Sequence, residues 1–181
     1  MSETRDKRRR TDLDLFVLAL IADGISTPYE LQKAAGLSQG ATVPTLQRLF
    51  EAGFVRQGKP GARGRTDHTI TSAGRKQLKT AWRTLLDDGP SGDLDADLRV
   101  ALLILWAGGE RRLAADFLRH SAEKKSESIV EIEENRDIAV LAPLALWYQR
   151  LRSASAIPLL KGRSEAALAM AEALPRRLSG T

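Results

Sequence analysis

The stretch LSQGATVPTLQRLFEAGFVRQGKPGARGRTDHTIT, Leu37 to Thr71, decides the fold. It divides into a helix, a tight glycine turn, a short strand, a basic glycine-rich tip and a return strand. Ser38 is placed to cap the helix, because its hydroxyl can accept from one of the first N–H groups that lack an intrahelical partner. Val43, Leu46, Leu49 and Phe50 give an apolar stripe at helical spacing. Gln39, Thr42, Thr45, Gln47 and Arg48 remain for the other faces. Pro44 conflicts with a simple helix, since it lacks an N–H and its ring presses on the carbonyl four residues back. Either the helix begins near Thr42, or it begins at Ser38 and bends at Pro44, with Gly40 giving the room. Gly53 stops it. Phe54 to Gln57 then reads as a strand, GKPGARGR (Gly58 to Arg65) as the tip, and Thr66 to Thr71 as a return strand with period-two alternation. A helix followed by a basic hairpin has a plain physical use, to lie across a nucleic-acid backbone.

Outward on the N-terminal side, Leu13, Phe16, Val17, Leu20 and Ile21 fall on one helical stripe. That predicts a helix over Asp12 to Asp23, capped by Thr11 or Asp12 and closed by Gly24. Residues 1–11 carry Arg5, Lys7, Arg8, Arg9 and Arg10 and read as a flexible basic arm, able to order on phosphates. Thr27 and Glu30 have capping-box spacing, and Pro28 sits where a missing N–H costs nothing. TPYELQKAAG is therefore a short second helix ending at Gly36.

On the C-terminal side, Thr71 or Ser72 caps a fourth helix reaching Leu86. DDGPSGDLD, Asp87 to Asp95, has the composition of a linker. It separates a unit over 12–88 from a helical unit over 96–181, with 89–95 between them. In the second unit LRVALLILW, Leu98 to Trp106, is apolar enough to be deeply buried, and Gly108-Gly109 breaks it. Glu110 to Asn135 suits a long polar helix. Pro143 and Pro158 bracket a helix over Leu144 to Ile157, and a last amphipathic helix runs from Ser164 to Leu174. The fold class is mainly α, in the α+β sense, with one small hairpin.

The chain of 181 residues has no cysteine, which excludes a disulfide scaffold, a thiolate metal site and a cysteine nucleophile. Its two histidines, His68 and His120, are far apart, so a histidine metal cluster is not expected and no cofactor is called for. Nucleophile-elbow and phosphate-loop signatures are missing, and an enzyme is not expected. No apolar run reaches the ~18 residues that span a bilayer, and a cytoplasmic location is the default. Charge is unevenly placed. Phe54 to Leu86 holds eight basic residues against the single acid Asp67, the local excess expected of an electrostatic footprint.

The residues Tyr29-Glu30-Leu31, Ser38, Gly40, Pro44, Leu46, Arg48-Leu49, Ala52-Gly53, Gly64-Arg65 and Thr71 to Gly74, in this order and spacing, resemble the PadR family of bacterial transcriptional regulators. The resemblance covers Leu13 to Leu86. It implies a winged helix-turn-helix domain and a helical C-terminal region used for dimerisation, and it favours the early start for the helix containing Pro44. One departure is Val43, where the family usually has tyrosine. MarR-type regulators share the topology. The expected function is a homodimeric, sequence-specific regulator of double-stranded DNA, a repressor. Ser38, Gln39, Thr42, Thr45, Gln47 and Arg48 would sit on the recognition helix, with neutral polar groups reading base edges and Arg48, set deeper, reaching a phosphate or packing as support. Tyr29 joins that surface. Lys59, Arg63 and Arg65 would neutralise phosphates or enter the minor groove. Trp82, Trp106 and Trp147 are expected in the core, at a dimer interface, or around a small-molecule effector. The alternative is a winged-helix module for protein or RNA without operator specificity.

Overall fold

The computed structural model describes residues 2–59, 66–135 and 143–177, and the side chains of 11–33, 35–59, 66–133, 154 and 156–177. The described chain is mainly helical, with one two-stranded antiparallel sheet. The order is α1 (Ser2–Ala22), α2 (Pro28–Ala35), α3 (Gln39–Glu51), β1 (Val55–Gln57), β2 (His68–Ile70), α4 (Ser72–Asp87), α5 (Leu94–Gly108), α6 (Arg111–Asn135) and α7 (Pro143–Ala173).

α1 is the central strut. Leu15, Val17, Leu18 and Ile21 are buried, and the helix packs on α3, α4, α5 and β2. It begins at Ser2, ten residues ahead of the start expected at Asp12. Arginine and lysine are good helix formers, and nothing in TRDKRRRTD stops a helix. Asp12 is not a cap. It lies buried against α5, where Arg99 Nε donates to its Oδ2 at 2.7 Å. Burial pushes the Asp12 carboxyl above its usual range, against the pull of Arg99.

Local chemistry then sets the next elements. Thr27 and Glu30 complete the capping box: Glu30 N–H donates to Thr27 Oγ1 at 3.2 Å, and Thr27 N–H to Glu30 Oε2 at 3.0 Å. Gly53, with φ 71°, reverses the chain after α3, and Phe54 N–H donates to the Leu49 carbonyl. β1 and β2 pair as Val55↔Ile70, Arg56↔Thr69 and Gln57↔His68. Val55 and Ile70 face the core, while Arg56 and Thr69 face out. The His68 N–H donates to the Ser26 carbonyl at 2.8 Å, and Nδ1 makes a second bond to it at 3.1 Å. This ties the α1–α2 corner to the outer edge of β2.

Thr71 caps α4 and also bonds Gly53 and Phe54, so the end of the hairpin is fastened to its beginning. Gly74 makes that closeness possible. A Cβ there would stand 2.3 Å from the Phe54 carbonyl oxygen and 2.9 Å from Ile70 Cγ1. The glycine of the T-x-x-G pattern is fixed by contact, not by dihedral freedom.

The stretch 89–95, expected as a linker, is a corner closed by hydrogen bonds. Asp97 is fully buried and accepts from Ser91 N–H (2.7 Å), Ser91 Oγ (2.9 Å), Gly92 N–H (3.1 Å) and Ser121 Oγ (2.6 Å). Lys125 Nζ donates to Ser121 Oγ at 2.6 Å, and Lys124 Nζ to the Pro90 carbonyl at 2.7 Å. α5 packs on both α1 and α4, so the core runs continuously from the first helices into the C-terminal ones. α6 and α7 pack along one another. α7 runs through Pro158, which corrects the expectation of two helices. A proline removes one N–H bond from a helix; contact with α6 outweighs that loss. Among the described residues, no helix is long and apolar enough to cross a membrane.

Candidate nucleic-acid interface

α3 begins at Gln39, with Ser38 as its cap and Pro44 inside, so the early start holds. Ser38 Oγ accepts from Ala41 N–H at 3.3 Å. Gly40 and Pro44 are both exposed, so the carbonyl that loses its partner at Pro44 faces water.

The phase of the helix differs from the expectation. Leu46 and Leu49 are buried as expected, but the inward face is completed by Thr42 and Thr45, both fully buried. Val43 is 56% exposed and Phe50 43%. Thr42 and Thr45, expected on the outward face, point into the core instead. Threonine can take core positions because its methyl packs and its hydroxyl finds a local acceptor or donor. Thr42 Oγ1 donates to the Ser38 carbonyl at 3.0 Å, and Thr45 Oγ1 accepts from Arg48 at 2.9 Å.

Arg48 is also committed. Its Nε donates to Asp14 Oδ2 at 3.0 Å and its Nη2 to Asp14 Oδ1, a two-pronged pair joining α3 to α1. The Asp14 carboxylate raises the Arg48 pKa, so the guanidinium stays charged but is held by protein. Sequence reasoning left Asp14 unassigned. A lone acid within the apolar run of α1 was the signal for a partner.

What remains outward on α3 is Gln39, Gly40, Val43, Pro44, Gln47, Phe50 and Glu51. Gln47 Nε2 donates to Glu51 Oε1 at 2.8 Å. Tyr29 on α2 is 51% exposed. The hairpin follows α3 directly and packs on it through β1. Arg56 on β1 and Lys59 after it are exposed, as are Arg75, Lys76 and Lys79 on α4. Arg63 and Arg65 lie outside the described residues. An outward face that is uncharged from Gln39 to Gln47 thus stands beside a hairpin that exposes Arg56 and Lys59.

Trp82 and Trp106, the two tryptophans with described side chains, line different parts of the molecule. Trp82 is buried, with its ring against Gly108, where a Cβ would come within 2.8 Å, and with Arg83 over its face at 4.9 Å. Trp106 is half-buried and lines an apolar groove of about 420 Å³ between α1 and α5, with Phe16, Leu20 and Leu102 along it and Asp23 at its edge. The side chain of Trp147 lies outside the described residues. No protein-family model matches the chain, and no similar curated protein is found.

Proposed function

We propose that α1 to α4 and the hairpin form a winged helix-turn-helix domain of the PadR-like kind. In this reading the protein is a sequence-specific regulator of double-stranded DNA, a repressor acting as a homodimer. The observation that carries the reading is the juxtaposition of α3, whose outward face from Gln39 to Gln47 is uncharged, with a hairpin that exposes the cations Arg56 and Lys59. A recognition helix enters the major groove while flanking cations neutralise phosphate. Exposed Val130, Leu159 and Leu168 on α6 and α7 are apolar surface that a second copy would cover. The groove beside Trp106 is the best candidate for a small-molecule effector. Its α1 wall belongs to the same helix whose Asp14 holds Arg48 of α3.

The exposed Tyr29, Val43 and Phe50 favour a second reading, a protein-binding module. Selection of bound sequences from a random duplex pool separates the two. A regulator enriches a two-fold symmetric sequence with half-sites about one helical turn apart. Absence of enrichment, or equal binding to structured RNA, would overturn the regulator reading.

A further inference from the structure

The outward ridge of α3 holds a combination of groups with a defined chemical preference. Gly40, Val43, Pro44 and Gln47 face solvent, with Gln39 at the N-terminal end. Arg48 is the helix's one basic residue and is held by Asp14, and Ser38 is used by the cap. Guanine is read chiefly by arginine or lysine on its O6 and N7. Adenine is read by the two-headed amides of Asn and Gln, and thymine is distinguished by its C5-methyl, which takes an apolar partner. From Gln39 to Gln47 the ridge therefore lacks the arginine and lysine that read guanine and carries both kinds of A·T-reading group, and the carboxylate beyond it, Glu51, accepts from Gln47 Nε2. Lys33 on α2 and Arg56 and Lys59 on the hairpin are exposed beside it and supply the charge complementary to phosphate.

Gly40 adds an independent observation. A Cβ there would meet nothing closer than Ser38 Oγ at 4.0 Å, and Gly40 has no positive φ. Packing gives no reason for glycine at this exposed helical position, where glycine is a poor helix former. A missing side chain on the outward face lets a helix backbone come close to a ligand.

We propose that α3 reads A·T pairs, with Val43 seated on a thymine methyl, Gln47 and Gln39 on adenine, and Gly40 allowing the close approach. This rests on the DNA-regulator reading and names the base class it reads. Val43 is then a specificity-determining residue.

The test uses the full-length chain and the duplex recovered by selection. Each thymine of the half-site is replaced in turn by deoxyuridine, which removes only the methyl. For wild type, one position is expected to weaken binding about fourfold, the value of one buried carbon. Val43→Ala, a change at an exposed site that alanine fits well, is expected to bind normal and deoxyuridine duplexes equally. Gly40→Ala is expected to melt no lower than wild type yet to bind the selected duplex more weakly. Selection of a G·C half-site, or indifference of wild type to every deoxyuridine, overturns the A·T proposal while leaving the regulator reading standing. No preference for any duplex overturns both.

Discussion

Gly74 shows how much one missing atom can determine. A methyl there would run into the Phe54 carbonyl, which cannot move because Thr71 bonds it from below. Gly74→Ala is expected to destabilise the fold by about 1–3 kcal/mol, as overpacking against fixed backbone does, and a melting curve checks it. Asp97 has a comparable role at the corner between α4 and α5. Asp97→Ala would strand two backbone N–H groups and the charge of Lys125, and about 3–5 kcal/mol should be lost. Lys125→Met should cost much less, since Asp97 keeps its other donors. Burial lowers the Lys125 pKa, so the unfolded chain binds a proton more readily there. The burial penalty is present at neutral pH and fades as pH rises towards the ordinary lysine value near ~10.4. Wild type should therefore gain stability relative to Lys125→Met over that alkaline window.

At the scale of elements, the short helices depend on caps whose charge state matters. Glu30 accepts from the Ser26 and Thr27 N–H groups, which hold its pKa below the usual glutamate value. A carboxylate with a lowered pKa contributes stability above its unfolded pKa and loses it as pH falls through the folded one. The acid side of the unfolding profile should be shallower in Glu30→Ala, as measured by denaturant midpoints at several pH values. Such caps were legible in the sequence because their residues lie three apart and act on their own backbone. The phase of α3 was not, because threonine is neither clearly apolar nor clearly polar. Placing Thr42 and Thr45 inward required knowing that Ser38 and Arg48 would satisfy their hydroxyls. The continuity of α7 was hidden for a related reason: Pro158 is a local stop signal, overridden by a long-range partner, α6. Arg48→Ala should cost about 1 kcal/mol of stability, as expected for a half-exposed ion pair. It should leave the salt dependence of DNA binding unchanged, because its guanidinium is engaged by Asp14.

Across the whole molecule, one core links the hairpin unit to the C-terminal helices through α1, α4 and α5. The composition of 89–95 reads as a linker, and it does not show how tightly that linker is bonded, because glycine, proline and aspartate serve flexible and bonded corners alike. Here the side chains that close the corner, Asp97, Ser121 and Lys124, stand outside it in sequence. Under the proposed function, a ligand in the groove beside Trp106 or a partner on α6 and α7 would act on the same core that carries α3. The excess of basic residues over Phe54 to Leu86 belongs to the same scale, and with it the central proposal that the hairpin is the phosphate-binding element beside the reading helix. The direct test is the slope of log K against log salt for duplex binding, compared between wild type and the Arg63→Ala/Arg65→Ala double variant. Each lost phosphate contact flattens the slope by about 0.9. A steep wild-type slope that flattens by roughly two contacts in the variant, with weaker binding to every DNA sequence, is the expected result. Identical slopes and affinities for the two proteins would contradict the assignment of the hairpin.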